Sequence, residues 1–440
     1  MVGQTASANE RTLPATRRNY LDRWLVLGML GVLMFLNIAL ISWKVSIIPV
    51  RGVLAVGLLF VLSVLYPDAA ARGVARHRPI LLLAAALATL GTFVSVVNGA
   101  GLEAIIQAVV EVHIQIAVTL LVATIVAEVA GARSSIYVII AVIGLSAVVA
   151  ILQFADVDGA WRLREMLGNL QGQKLNEFGP FINKRPMGLT YSPIQLATQF
   201  CLAFGAYAVL RNGEGILTGG RNRTDPAIIV AALFLIALSV VTGTRSPILG
   251  AAILLALYSA RRQGVGLALM LLGGGAIAYF AGTQIIEALQ SSQPRVVRVN
   301  DDSAIGRLSL IKFGLLLFGD NPLGYGFTFT PSEHWMKFWR ELYDLQGSDD
   351  IQSKELHNYI LNMLNTYGIG IILVLPLAIG LLRRSSAHLL FFVPYIVHIM
   401  FHNSGPFWND TIIWFVIGAL GVLTAQPRVL PGEKHAVLKP

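Results

Sequence analysis

Long apolar stretches fill most of this chain and constrain its fold more than any other feature. A helix needs about 20 mostly apolar residues to cross a bilayer. Stretches near that length are 24–42, 47–66, 79–97, 104–130, 136–154, 193–210, 227–242, 247–260, 264–282, 357–382, 387–403 and 410–425. The sequence therefore predicts an all-α polytopic membrane protein of about 12 transmembrane helices, in which Pro247 marks the turn between the short seventh and eighth spans.

Composition supports the same class. Of the 440 residues, 55% are hydrophobic and only 13% are charged, whereas soluble domains carry about twice that charged share. The single cysteine, Cys201, excludes an intrachain disulfide and offers no zinc or iron–sulfur site.

The net charge of +9 invites a nucleic-acid interpretation, but the basic residues cluster in short connections between apolar stretches, as membrane orientation requires. Connections on one side hold Arg72, Arg76, Arg78, Arg133, Arg211, Arg221, Arg223, Arg261, Arg262, Arg383 and Arg384. Short connections on the other side hold Lys44 and Arg51. We therefore expect both tails, 1–23 and 426–440, to be cytoplasmic, and 24–425 to form the transmembrane domain. No cleavage site follows the first apolar stretch, so we interpret it as a retained span.

Two connections on the predicted outer face are long, at about 155–192 and about 283–356, and long loops in membrane proteins usually carry function. The second loop, between spans 9 and 10, contains an amphipathic helical pattern near 305–316 that includes Arg307. Turn residues at 318–326 end this pattern.

Arg245 is the most informative polar residue, because it lies in a hairpin between two apolar spans, where a guanidinium needs an anionic partner or water. Thr242, Thr244 and Ser246 add hydroxyl groups around it, and Gly243 allows close backbone approach. Arg185 lies just before the sixth span. The alternatives are a structural hairpin tip for Arg245 and a snorkelling side chain for Arg185.

His357 opens the tenth predicted span, and Asn358 and Asn362, four residues apart, predict a polar stripe beside it. Histidine titrates near neutral pH, so His357 can accept a proton from a sugar hydroxyl, while the arginines can hold a pyrophosphate. An ordinary interfacial polar contact is the alternative for this histidine.

Other polar residues in apolar stretches have two interpretations each. Glu111, His113 and Gln115 fit interhelical hydrogen bonds or, in a transporter, a proton relay. His402, four residues after His398, is expected to line the outer cavity with Asn403 rather than to bind a metal. The aromatic residues of the second loop fit either an interfacial belt or a sugar-stacking platform; they are Trp335, Phe338, Trp339 and Tyr343.

These motifs, in this order, resemble the O-antigen ligase and O-antigen polymerase superfamily of bacterial membrane proteins. The resemblance rests on Thr-Gly-Thr-Arg-Ser at 242–246, on Arg307 with the Asn-Pro-Leu-Gly-Tyr-Gly segment at 321–326, and on His-Asn-Tyr at 357–359. Arg-Pro-Met-Gly at 185–188 is similar to the family's arginine-plus-glycine element. The resemblance covers about 180–370, and Tyr-Ser-Pro at 191–193 departs from the asparagine-rich stretch of many members.

The resemblance implies glycan transfer from an undecaprenyl-pyrophosphate carrier to a sugar hydroxyl at the periplasmic face of the inner membrane. The acceptor would be lipid A core for a ligase or a growing glycan for a polymerase. No metal, nucleotide sugar or other cofactor is implied. Arg185 and Arg245 would hold the pyrophosphate and His357 would activate or orient the acceptor. Arg307, Thr242, Thr244, Asn358 and His402 would contact substrate.

Two other classes remain open from sequence. A secondary transporter or flippase would use Glu111 and His113 as a coupling relay, although no inverted repeat is visible. A non-catalytic membrane scaffold would depend on neither these residues nor Arg245.

Overall fold

The computed structural model describes residues 15–45, 48–177, 179–217, 225–263, 302–343 and 355–425. Within them the fold is helical apart from a two-strand hairpin, in which β1 (Lys44–Val45) pairs antiparallel with β2 (Ile48–Pro49). The predicted ninth span at 264–282, the parts of the second loop at 283–301 and 344–354, residues 1–14 of the first tail and the whole tail at 426–440 lie outside the described residues.

The first half of the chain forms long helices that follow the predicted spans. They are α1 (Ala15–Ala39), α2 (Val50–Leu65), α3 (Pro67–Val97), α4 (Leu102–Ala108), α5 (Gln115–Ala130) and α6 (Ala132–Phe154). A π-helical turn at Val109–Ile114 joins α4 to α5 without a break. Asp158–Leu170 forms α7 and Gly179–Ile182 forms α8, so the predicted loop at 155–192 contains structure of its own.

The second half has shorter elements. They are α9 (Pro193–Leu217), α10 (Pro226–Thr242), α11 (Ser246–Gln263), α12 (Asp302–Asp320), α13 (Trp339–Leu342), α14 (Tyr359–Tyr367), α15 (Leu375–Leu389), α16 (Val393–Ile399) and α17 (Ile412–Ala425). Turns of 3-10 helix join several of them, at Leu175–Glu177, Pro331–Glu333, Trp335–Phe338, Gly368–Val374 and Leu390–Phe392.

Six helical segments among the described residues are long and apolar enough to cross a membrane, and five more are shorter apolar helices. The predicted tenth span is not one regular α-helix, because the 3-10 turn at Gly368–Val374 separates α14 from α15. The polytopic helical class agrees with these segments. The total of twelve spans stays a prediction.

Helix α5 lies at the centre of the bundle. It packs against α1, α2, α3 and α6 and most extensively against α17, and most of its side chains are buried. By contrast, large apolar side chains point outward from the surrounding helices, including Phe60, Phe93 and Phe234, each more than half exposed. An apolar outer surface of this kind matches lipid better than water.

Candidate functional site

The turn between α10 and α11 carries the Thr-Gly-Thr-Arg-Ser motif. Helix α10 ends at Thr242 because Gly243 adopts the left-handed conformation, with φ 65°, which glycine accepts without strain. The hydroxyl of Thr242 donates to the carbonyl of Ser239 at 3.1 Å and lies 2.7 Å from the hydroxyl of Thr244, which therefore donates to it. Arg245 follows, half-buried. Both threonine protons are thus used inside the turn.

Arg185 binds this same turn from a different part of the chain. Its Nη2 donates to the carbonyl oxygens of Thr242 and Gly243, each at 3.3 Å. These carbonyls belong to the end of α10, where the helix dipole favours a cation. Arg185 is therefore held beside Arg245 by main-chain contacts, and the simple snorkelling alternative does not describe it.

Gln153, in the last turn of α6, fixes the loop that carries Arg185. Its Oε1 accepts from the main-chain amides of Met187 at 2.9 Å and Gly188 at 2.8 Å, and its Nε2 donates to the carbonyl of Gly188 at 3.1 Å. Gly188 has φ 58°, and a Cβ there would lie 2.4 Å from the carbonyl oxygen of Ser146. The glycine in Arg-Pro-Met-Gly is therefore required by the close approach of the loop to α6.

Two histidines lie beneath the turn. Ser246, the first residue of α11, places its Oγ 2.8 Å from Nδ1 of His398 and 3.4 Å from Nε2 of His402. The two imidazole rings have centroids 4.2 Å apart, and both side chains are buried. Helix α16 ends at Ile399, so His402 lies in the following turn.

Arg307 and His357 approach this pair from α12 and from the start of α14. Burial lowers the pKa of His402 well below its usual value, and the positive charges of Arg307 and Arg185 lower it further. His357 lies near His402 because the next residue, Asn358, donates to the carbonyl of Met400. Arg185 contacts the turn of Arg245, whose next residue, Ser246, contacts His402. The structure thus brings together residues that are far apart in sequence.

The segment 321–326 sets the position of α12. The amides of Tyr325 and Gly326 donate to the carbonyls of Asn365 and Thr366, at 2.7 and 2.9 Å, so the segment runs along the end of α14. In addition, Nδ2 of Asn365 donates to the carbonyl of Gly314 within α12 at 2.9 Å. This motif is a brace that holds the helix of Arg307 against the helix that follows His357.

The predicted asparagine stripe is wrong at Asn358. This residue has an extended backbone and is the N-cap of α14; its Oδ1 accepts from the amide of Leu361 at 3.0 Å and its Nδ2 donates to the carbonyl of Met400 at 3.0 Å. Asn362 lies in the helix and donates to the carbonyl of Asn403 at 3.3 Å. Both amides tie α14 to the turn that carries His402, and a substrate contact at Asn358 stays a prediction.

The polar group at 111–115 makes structural contacts within the protein. Glu111 forms an ion pair with Lys44 of β1 at 3.2 Å and accepts from Gln107, one turn earlier in its own helix, at 3.0 Å. Nε2 of His113 lies 3.2 Å from the hydroxyl of Tyr367, at the end of α14. The contact of His113 supports the interhelical interpretation for that residue, and Glu111 is held by a neighbouring strand and its own helix.

The predicted aromatic group of the second loop divides in two. Trp335 and Phe338 are buried against α12, whereas Trp339 is 40% and Tyr343 is 53% exposed. The amphipathic helix predicted near 305–316 corresponds to α12. Only the exposed half of the aromatic group is available to a membrane surface or a sugar.

Sequence reasoning does not find Gln153 or the buried Arg164, and it finds Ser246 only as a hydroxyl beside Arg245. Gln153 lies near the end of a predicted span, and neither Gln153 nor Ser246 has a local pattern that reveals its partners. Arg164 is fully buried in α7, and burial lowers its pKa to about 10. Its Nη2 donates to Oε1 of Gln173 at 2.9 Å. In the sequence, the position of Arg164 on the inner face of the amphipathic helix α7 is the pattern that could have indicated its burial.

Residues 230–375 match a family model described as O-antigen ligase. The matched stretch spans the turn with Arg245, α12 with Arg307, the brace at 321–326 and His357, but not Arg185 or His402. It supports membership in the O-antigen ligase and polymerase superfamily, as the sequence motifs predict. No curated protein and no solved structure matches the chain.

Proposed function

Given the O-antigen ligase match of residues 230–375, we propose that this protein transfers a glycan from an undecaprenyl-pyrophosphate carrier to a sugar hydroxyl. The reaction would take place at the periplasmic face of the bacterial inner membrane. The observation that carries the proposal is the binding of Arg185 to the turn of Arg245, beside the two buried imidazoles of His398 and His402 that Ser246 contacts.

The arginines suit the donor. A pyrophosphate carries several negative charges, and guanidinium groups bind such oxygens through paired, charge-assisted hydrogen bonds. Arg185 and Arg245 would hold the pyrophosphate in the bound donor and stabilise the charge that develops on it as the glycosidic bond breaks. Arg307 would add positive charge from the side of α12.

His357 suits the acceptor. It directly precedes the N-cap of α14, which the contacts of Asn358 and Asn362 hold against the turn of His402. A neutral imidazole there would orient the acceptor hydroxyl or take its proton as the new glycosidic bond forms. The proposal assigns no step to a metal ion.

The outer surface suits the carrier. Exposed apolar side chains cover the surrounding helices, so an isoprenoid chain would remain among lipid-like groups while its pyrophosphate reaches the arginines. Both tails would then be cytoplasmic, in agreement with the distribution of basic connections.

A complementation experiment tests the proposal. A deletion strain receives wild-type protein, Arg245→Ala or Arg133→Ala; Arg133 is exposed at the start of α6, at the opposite end of that helix from Gln153. We expect Arg245→Ala to abolish surface polysaccharide at unchanged protein level, and Arg133→Ala to keep it. Normal polysaccharide with Arg245→Ala would refute the assignment.

The same gels distinguish ligase from polymerase. Single-repeat chains in the deletion strain indicate a polymerase, whereas long carrier-bound chains that are absent from core lipid indicate a ligase. Transport that is blocked by Glu111→Gln but not by Arg245→Ala would favour a transporter instead.

A further inference from the structure

The hydrogen-bond directions around His398 follow from its neighbours. Nε2 of His398 lies 3.2 Å from the carbonyl oxygen of Ile194 and 3.0 Å from Oγ1 of Thr198. A carbonyl oxygen only accepts. The hydroxyl of Thr198 already donates its own proton to that carbonyl of Ile194, at 3.0 Å, so its oxygen can only accept from His398. Nε2 of His398 must therefore carry a proton.

The same logic extends through Ser246 to His402. His398 is completely buried, and burial disfavours the charged imidazole, so its Nδ1 carries no proton and accepts from the hydroxyl of Ser246 at 2.8 Å. Having donated its proton, Ser246 Oγ can only accept from Nε2 of His402, at 3.4 Å. His402 therefore carries its proton on Nε2, and in the neutral ring Nδ1 is left as a lone-pair acceptor.

This acceptor is available to a ligand. Nδ1 of His402 is buried and, among the residues that the structure describes, has no hydrogen-bond partner. Burial and the positive charges of Arg307 and Arg185 disfavour the charged ring, so it stays neutral. An unsatisfied buried acceptor is costly, and a phosphate oxygen cannot satisfy it because both atoms are acceptors. A hydroxyl group can.

We propose that His402 binds the hydroxyl of the acceptor sugar through an unprotonated Nδ1, and that Ser246 and His398 are positioning residues that fix this tautomer. This proposal rests on the glycan-transfer function proposed above. The two substrates would then be bound by different groups. Guanidinium groups bind the anionic donor substrate, and the neutral Nδ1 of His402 accepts a hydrogen bond from an O–H group of the acceptor sugar. The opposite tautomer, with the proton on Nδ1, would instead favour a phosphate oxygen.

Nitrogen NMR on full-length protein in nanodiscs tests the tautomer directly. Histidine is labelled with ¹⁵N, and signals from the eight histidines are assigned with His398→Asn and His402→Asn. We expect His398 and His402 to be protonated on Nε2 alone at neutral pH. Ser246→Ala should release the preference of His402 but not that of His398, which Ile194 fixes. Protonation of His402 on Nδ1 in the wild type would overturn the proposal.

Kinetics with a lipid-linked glycan donor and a separate acceptor test the ligand. Ser246→Ala should raise KM for the acceptor roughly 3- to 10-fold, the effect of losing one hydrogen bond, and leave KM for the donor unchanged. Ser246→Thr, which keeps the hydroxyl, should restore acceptor KM. Ser135→Ala is the matched control, because Ser135 is an equally buried helical serine that donates to the carbonyl of Gly131, in the first turn of α6.

The NMR and kinetic experiments distinguish a failure of this inference from a failure of the proposed glycan-transfer function. A rise in donor KM rather than acceptor KM with Ser246→Ala would overturn the role of His402 while transfer itself stands. Absence of any transfer by the wild-type protein would overturn the proposed function, and with it the sugar as ligand; the NMR arm would still decide whether Ser246 fixes the tautomer.

Discussion

Two motifs in the matched stretch both contain glycine in the left-handed conformation but have different structural roles. The turn at 242–246 is open around its glycine: a Cβ added at Gly243 would meet only the Arg185 guanidinium, at 3.7 Å. The brace at 321–326 is closed: a Cβ at Gly324 would lie 2.5 Å from the amide nitrogen of Gly368, and one at Gly326 would lie 2.6 Å from Cα of Ser95. Around its glycine the first motif meets a charged side chain, and the second joins backbone to backbone.

This difference distinguishes a motif whose side chains are expected to act on substrate from a motif whose glycines hold helices together. Side chains of the turn are expected to act on substrate, so their loss should remove activity and spare stability. The glycines of the brace hold α12 against α14, so their replacement should first remove stability. The following changes test that contrast, from the largest expected effect to the smallest.

Arg245→Ala should lower the glycan-transfer rate by about a hundredfold or more, because a preorganised charge that stabilises a developing anion contributes on that scale. The melting temperature in detergent should stay close to the wild-type value, since Arg245 is half-buried in a turn. Transfer is measured in vesicles with a lipid-linked donor, and Arg245→Lys should recover only part of the rate. Equal losses of activity and melting temperature would contradict the assignment.

Gly326→Ala should destabilise the fold by about 3 kcal/mol or more, because a left-handed backbone at φ 83° and a clash with main-chain atoms of Ser95 act together. Gly243→Ala should cost only about 1–2 kcal/mol, from its left-handed backbone alone. Chemical denaturation in detergent compares the two variants. Similar losses at both positions would remove the distinction between turn and brace.

Asn358→Ala should destabilise α14 by about 1 kcal/mol, the usual value of an N-cap hydrogen bond, here to Leu361. Asn358→Asp keeps the cap acceptor but loses the Nδ2 donor to the carbonyl of Met400, so comparing the two variants separates these contacts. Thermal denaturation measures the cost. If Asn358→Ala left stability unchanged and raised a substrate KM, the side chain would serve the substrate rather than the helix.

The smallest expected effect is a pH dependence from His402. Its folded pKa lies below the ordinary value of 6.5, so below about pH 6.5 the unfolded chain binds a proton that the folded protein does not. Stability should therefore fall on acidification, by at most about 1 kcal/mol between pH 6.5 and 5.5 for this group. His402→Asn should show a shallower decline between pH 6.5 and 5.5, and equal slopes would contradict the buried neutral state.

The sequence predicts the helical class, most span positions and the motif order because apolar length and local residue patterns carry them. An asparagine just before a helix is a common N-cap, so the local sequence also fits the capping role of Asn358. The four-residue spacing to Asn362 instead favours the polar stripe that the sequence analysis predicts. The contacts of Ser246 with His398 and His402 span 152 and 156 residues. Those of Gln153 with 187–188 depend on how a loop folds back on α6. No local pattern encodes such contacts.

Electron cryo-microscopy of the nanodisc-embedded protein with a bound lipid-linked pyrophosphate donor tests the central claim most directly. We predict pyrophosphate density within hydrogen-bonding distance of both Arg185 and Arg245 and on the side of Arg307, with His357 and His402 facing the space where the acceptor sugar would bind. Donor density at another place, or Arg185 and Arg245 on opposite sides of the bilayer, would contradict the convergence on which the proposed glycan transfer rests.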